Sequence, residues 1–380
     1  MAGAREEQPL LQVRKPLSAC LEMKFMGEKI VSSLKKAFIA AAICLLPISG
    51  QAAEVTWRVP TSVPEGSPFY VNFLQRFAKN VDVMTEGRVA IEPYGAGVIV
   101  PALQVYDAVV DGTVEAGHSS PTYLLNKDPI NGIFAGFPGG MGPEAFISWI
   151  YEGGGEKRLK ELREGEGFHS MIVGIGSTEI LAHSNVPIRS KDDLKGLKYR
   201  TSGPWAEVMR DYFEAVPTVV PAGETYTLLQ RKGVDAVEWA PPSANLSEGF
   251  HQVAKYIVVP GVHQPSFLWE VVTTKETWDK LPDDLKAKLE AAAKLTTYEG
   301  LTNFYAADIK AMAEYRSGAN EIITLSPEFV TELADAGRKW AQKKADEQKA
   351  SGKPTMSEIL ADYLAFRDAW NKERSYLITE

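Results

Sequence analysis

The chain has 380 residues, with 41 Lys and Arg against 49 Asp and Glu, a formal net charge of −8, and two cysteines. An acidic balance argues against nucleic acid or anionic lipid as a partner. Both cysteines fall within the first 44 residues, which leaves the rest of the chain no disulfide framework and no thiolate metal site, and the length suits two lobes better than one core.

At the N-terminus, Lys35-Lys36 precede an apolar run from Ala37 to Ile48, too short for a stable membrane anchor. Small residues follow at Ser49-Gly50-Gln51-Ala52-Ala53, so residues 1–53 read as an extension plus a secretory signal, cleaved on export to the periplasm. Met23 or Met26 makes a more ordinary start for such a signal than Met1. Cys20 and Cys44 both fall in this segment, and Ile43 before Cys44 does not suit a lipoprotein anchor. Cleavage would remove seven basic and four acidic residues, leaving a net −11.

Alternation at Val55, Trp57 and Val59 predicts a strand. Phe69, Phe73, Phe77 and Met84 then follow helical spacing until Gly87. Val89–Ile91 predicts a second strand, 101–110 a helix, and a third strand leads to Gly117-His118. This is the pattern of a mainly parallel sheet with crossover helices. A helical stretch over 147–162 precedes a strand near 170–175 that leads to Glu179. Ser190 and Asp193 form an N-cap signature. The strand 197–200 ends at Gly203-Pro204, where proline suits the first turn of a helix over 205–215. A helix over 224–232 and a strand over 234–239 come next, and the strand 267–273 returns to the first lobe. From Pro282 the chain turns helical, with Leu285, Leu289, Ala292, Tyr305 and Ile309 on one stripe and further helices near 327–349 and 355–372.

Enzyme signatures are missing. The chain has no His-Glu-x-x-His, no phosphate loop and no Gly-x-Ser-x-Gly elbow. Gly174-Ile175-Gly176-Ser177 is a broken dinucleotide fingerprint that reads better as a strand end. His118, His169, His183, His251 and His263 show no metal-ligand spacing, and each alone reads as structural.

What remains is polar residues at strand ends, where open α/β sheets bind ligands. Arg200 ends an apolar strand; it either forks onto a ligand carboxylate or makes an internal salt bridge. Glu238 ends the strand before Trp239 and needs a partner there, since an unpaired buried carboxylate is costly. Arg200 or a cation would serve, with the Trp239 carbonyl as a further hard oxygen.

Four blocks in order, 149–155 (Trp-Ile-Tyr-Glu-Gly-Gly-Gly), 197–203 (Leu-Lys-Tyr-Arg-Thr-Ser-Gly), 234–241 (Val-Asp-Ala-Val-Glu-Trp-Ala-Pro) and 249–256 (Gly-Phe-His-Gln-Val-Ala-Lys-Tyr), resemble the solute receptors of tripartite ATP-independent periplasmic (TRAP) transporters, in the DctP-like branch that includes 2-oxo acid receptors. The likeness runs from about Val55 into the C-terminal helices. It implies a type II-like, two-lobed α/β periplasmic binding protein fold, mixed sheets flanked by helices, with a helical C-terminal extension. Lobe I would take residues 54–177, lobe II 178–264, the return to lobe I and a connecting helix 265–310, and the remaining helices 311–380.

By that resemblance, Arg200 holds the ligand carboxylate and a hard cation such as Na⁺ or Ca²⁺ bridges ligand and protein. The family's ion ligands are a Gln, a Glu, the following Trp carbonyl and a second Glu. Glu238 and Trp239 match the central pair, but Glu179 stands at the Gln position and Gln264, in the Gly-x-His-x-Pro turn, at the second Glu. Such a swap keeps two carboxylates and one amide, all oxygen donors; alternatively, Glu179 faces a hydroxyl or amine of a different ligand. Tyr123 matches an aromatic position that lines the family's cleft, and Tyr226 is a further candidate. Trp205 either walls the pocket or packs the start of its helix.

The expected function is therefore a periplasmic receptor that binds a small 2-oxo or 2-hydroxy monocarboxylate, performs no catalysis and delivers its ligand to integral membrane subunits. The helical tail resembles the region through which some relatives pair as homodimers. Two rivals are a secreted metal-dependent enzyme using Glu179 and Glu238, and a ligand sensor for a membrane kinase.

Overall fold

The computed structural model describes residues 53–377, and the expected signal segment with both cysteines and the alternative starts lies outside the described residues. Eleven strands occur among the described residues. They are β1 (Val55–Pro60), β2 (Val89–Tyr94), β3 (Ala116–Ser119), β4 (Phe168–Gly176), β5 (Ala182–Ser184), β6 (Lys198–Arg200), β7 (Val216–Thr218), β8 (Ala236–Val237), β9 (Tyr256–Val259), β10 (Phe267–Thr274) and β11 (Glu321–Thr324).

β1 and β2 pair in parallel, which requires a crossover. The intervening chain supplies it as a π-helical turn, Tyr70–Gln75, running into the helix Arg76–Thr85; together they bury Phe73, Phe77 and Val81. The helix stops at Glu86 and Gly87, both with positive φ. β10 lies between β3 and β4, antiparallel to each, and a bridge from Thr61 to His118 ties β1 to this group. The third, six-stranded sheet has the order β11-β9-β5-β8-β6-β7. Three sheets flanked by helices, the two smaller ones tied together by the bridge, make a two-lobed α/β molecule, completed by the helices Pro327–Ala350 and Thr355–Glu373.

At the centre of β10, the fully buried Glu270 accepts hydrogen bonds from Arg163, Ser170 and Tyr106. That satisfaction is what makes a charge tolerable between two strands, and it clamps the helix Gly155–Gly165 to the sheet.

Two segments cross between the sheets. Residues 177–181 lead from β4 to β5, and residues 260–266 return from β9 to β10. They run against each other: Glu179 N donates to Gln264 O at 3.4 Å and Thr178 Oγ1 to Pro265 O at 2.9 Å. Gly261 permits the approach, because a Cβ there would sit 1.9 Å from the Glu179 carbonyl oxygen. The 35-residue helix Asp283–Ser317 runs alongside. Its Asn80–Thr296 contact reaches the first group of strands, while Tyr315 Oη donates to Pro242 O at 3.0 Å in the second. Asp308 in its last third takes hydrogen bonds from Ser177 Oγ and Ser243 N.

Most predicted elements are present with shifted ends. The stretch expected over 147–162 is two helices, Pro143–Glu152 and Gly155–Gly165, parted where Gly154 adopts φ 92°. The strand expected over 234–239 pairs only at Ala236–Val237.

Candidate ligand and cation site

β6 and β8 are parallel neighbours, so Arg200 and Glu238 emerge together at their carboxyl ends. The backbones interlock through Glu238 N donating to Arg200 O at 3.1 Å. Arg200 Nη1 donates to the Glu238 carbonyl at 2.8 Å and Nη2 to the Val220 carbonyl at 3.1 Å. Arg200 Nη1 also lies 3.6 Å from Glu238 Oε1, which accepts from Ser202 N at 2.8 Å. Both side chains are 2 % exposed, and Arg200 Nε has no hydrogen-bond partner among the described residues. The guanidinium is thus held on two carbonyls while part of its fork is unmatched.

The crossing segments bring in three more groups. Glu179, His263 and Gln264 are all buried. His263 Nε2 lies 3.2 Å from Glu179 Oε2 and 3.8 Å from Glu238 Oε2. Gln264 Nε2 donates to the Ala135 carbonyl at 3.2 Å, next to Gly136, whose lack of a Cβ lets Ser266 O come close.

Burial opposes ionisation of both carboxyls, with opposite results. It dominates at Glu179, whose pKa rises despite His263. At Glu238, burial is outweighed by His263 and the Arg200 charge, and the pKa falls. Burial would depress the His263 imidazole, but its bonds to Glu179 and Glu238 prevail and raise it.

A cavity opens on this cluster, with about 410 Å³ of atom-free space when the open solvent at its mouth is counted. Arg200, Glu179, Glu238, Gln264, Trp239 and Tyr123 all line it. Opposite the charges stand Phe69, Phe267 and Trp269, with Phe69 5.4 Å from the Trp239 ring and 5.1 Å from that of Trp269. Small, half polar and half aromatic, the cavity suits a compact organic anion.

Trp205 and Tyr226 do not line it. Trp205 packs the start of its helix, 6.2 Å from the Phe213 ring, and backs His263 at 5.8 Å. Tyr226 lies 6.3 Å from Phe250. Sequence reasoning missed His263 and Phe69, the first because it was read as structural and the second because it shares a stripe with core residues.

A family model described as bacterial extracellular solute-binding protein, family 7 (DctP), matches residues 60–348. The monocarboxylate 2-oxoacid-binding periplasmic protein of Nostoc sp. is 30% identical over 331 residues, 85% of this chain and 88% of the relative. A TRAP periplasmic solute binding protein from Pseudoalteromonas atlantica, solved with bound sodium and pyruvate, superposes with a TM-score of 0.79 at 28% identity, over 86% of this chain and 99% of that one. A TRAP transporter solute binding protein from Bordetella bronchiseptica, a mixed-occupancy dimer with copurified calcium and picolinate, gives 0.79 at 25% identity, over 86% and 96%. With both the family model and the fold in agreement, this chain belongs to bacterial extracellular solute-binding protein family 7 and is a solute receptor of the TRAP type.

Proposed function

We propose that the cavity captures a small 2-oxo or 2-hydroxy monocarboxylate, with Arg200 gripping the carboxylate. A cation held by Glu179, Glu238, Gln264 and the Trp239 carbonyl would bind a neighbouring ligand oxygen. The observation that carries this reading is Arg200 itself: a buried guanidinium facing a cavity with Nε unpartnered among the described residues. Two buried carboxylates beside it favour a cation, and their oxygen donors fit one chemically. When bound, that ion supplies a fixed positive charge; Tyr123, Trp239 and Phe69 exclude water and so strengthen each charge contact.

Pyruvate as bound by the Pseudoalteromonas protein, and the 2-oxoacid named for the Nostoc relative, support the ligand class. The family consists of receptors, and the ligand should leave this one unchanged, delivered to the membrane subunits. Residues 54–177 with 265–310 would form one lobe and 178–264 the other, a division supported by the pairing of β3 and β4 with β10. Residues 311–380 would close the molecule, and the helices Pro327–Ala350 and Thr355–Glu373 are the region for pairing as a homodimer. Residues 1–53 would direct export and be removed. Among the described residues no helix is long and apolar enough to cross a membrane.

The test is calorimetry of the purified receptor with pyruvate and lactate, with and without Na⁺ or Ca²⁺. Binding with recovery of unchanged ligand is expected; turnover would replace the receptor with an enzyme, and no binding of any small acid would remove the assignment.

A further inference from the structure

The cavity has two unlike ends. Arg200 and Glu238 form the charged one, and the hydroxyls gather beside it: Ser202 N donates to Glu238 Oε1 at 2.8 Å, and a Cβ on Gly203 would meet Thr122 at 3.4 Å. The opposite end is made of rings. Phe69, 4 % exposed, has five aromatic neighbours. It stacks on Trp269 at 5.1 Å and meets Phe267 edge-on at 5.6 Å. It also lies 5.4 Å from Trp239, 5.9 Å from Phe304 and 6.0 Å from Phe73. Even with the open mouth counted, about 410 Å³ of space is near the lower end of the roughly 300–1,000 Å³ usual for ligand pockets.

Phe69 joins the two sides of the cleft. It comes after β1, whereas Trp239 follows β8 in the six-stranded sheet and its indole Nε1 donates to Ala222 O at 3.3 Å. The rings around Phe69 have no room to recede. Phe73 is wedged between β4 and the long helix, where a Cβ on Gly174 or Gly300 would fall 2.6 or 2.7 Å from its ring. Phe267 fills the place of a Cβ on Gly176, only 1.8 Å away. A close-packed wall of this kind resists added methylenes, and it offers a charged or hydroxylated tail nothing in exchange for its water. We infer that Phe69 is the specificity-determining stop of the cavity. With the carboxylate on Arg200, the tail of the acid ends against its ring, which admits a short unbranched alkyl group and turns away branched tails and second carboxylates. This rests on the carboxylate-receptor reading and deepens it by naming the tail.

The experiment is calorimetry of the mature receptor, Phe69→Ala and Phe69→Leu, with Na⁺ and Ca²⁺ both present. The probes are pyruvate, 2-oxobutyrate, 2-oxoisocaproate and 2-oxoglutarate. Wild type should prefer pyruvate and 2-oxobutyrate to the branched and the dicarboxylic acid by at least about tenfold, the lower bound for a misfit in a hydrophobic pocket. Phe69→Ala should cut the preference for pyruvate over 2-oxoisocaproate at least about tenfold and still reject 2-oxoglutarate, because it adds room but no cation. A ring that merely packs the fold would weaken all four acids alike and leave that ratio unmoved, so an unchanged ratio overturns the inference. Phe69→Leu carries the same comparison where the alanine variant does not fold. Wild type that binds 2-oxoisocaproate as tightly as pyruvate also overturns it and leaves the receptor reading standing. Binding of none of the four acids to wild type overturns both.

Discussion

Arg200 and Glu238 hold each other at three levels: Glu238 N donates to the Arg200 carbonyl at 3.1 Å, Arg200 Nη1 to the Glu238 carbonyl at 2.8 Å, and the side-chain charges stand 3.6 Å apart. Parallel pairing of β6 with β8 imposes this geometry, so the positive and negative halves of the site are set by one backbone register.

Arg200→Ala should therefore weaken pyruvate binding by roughly 2–5 kcal/mol, the range for truncating one partner of a buried charge pair. Arg200→Lys should recover only part, since an ammonium cannot reproduce the fork. Calorimetry measures both; unchanged affinity would remove Arg200 from the site.

The double exchange Glu179→Gln with Gln264→Glu keeps two carboxylates and one amide around the ion. It should bind cation and ligand better than the sum of the single changes predicts, by roughly 0.5–3 kcal/mol of coupling. Strict additivity in the four-protein cycle would mean that the two side chains do not share an ion.

Gly261→Ala would drive a Cβ into the Glu179 carbonyl, a backbone atom that cannot turn aside. A loss of roughly 1–3 kcal/mol is expected, the range for overpacking, together with weaker ligand binding because Glu179 and His263 ride on the displaced segments. Urea denaturation and calorimetry test the two effects; a stable variant with normal affinity would show that the segments are not in register as described.

Acid should destabilise the fold through buried histidines outside the site. Burial lowers the His118 pKa from 6.5 to about 3, and burial with His251 nearby does the same at His183. Both stay neutral in the folded chain while the unfolded chain takes up protons below pH 6.5. The stability involved is intact above 6.5, declines as pH falls, and is lost near pH 3, at about 1.4 kcal/mol per unit for each residue. His118→Gln should flatten this slope in urea titrations at stepped pH; an unchanged slope would show that His118 is not held neutral.

Arg200 and Glu238 were legible in the sequence because each stands at the carboxyl end of a short strand, a position where a polar side chain needs a partner. The Ser190–Asp193 capping box was legible for the same local reason, and both of its reciprocal bonds are present. His263 was not. Its partners lie 84 and 25 positions away in the chain, and only the crossing of two linkers joins them. Phe69 follows the same helical spacing as Phe73 and Phe77, and periodicity does not distinguish a cavity wall from a core. Strands β5, β7, β9 and β11 have only three or four residues each, too short to show alternation, and gain their identity from neighbours in the sheet.

The pair of linkers also divides the site by origin. Glu179, His263 and Gln264 come from the linkers, Phe69 and Tyr123 reach the cavity from one side, and Arg200, Glu238 and Trp239 from the other. An ion bound by Glu179, Gln264, Glu238 and the Trp239 carbonyl would therefore tie the linkers to the six-stranded sheet, so that seating the cation and gripping the acid would draw on the same relative placement of the parts.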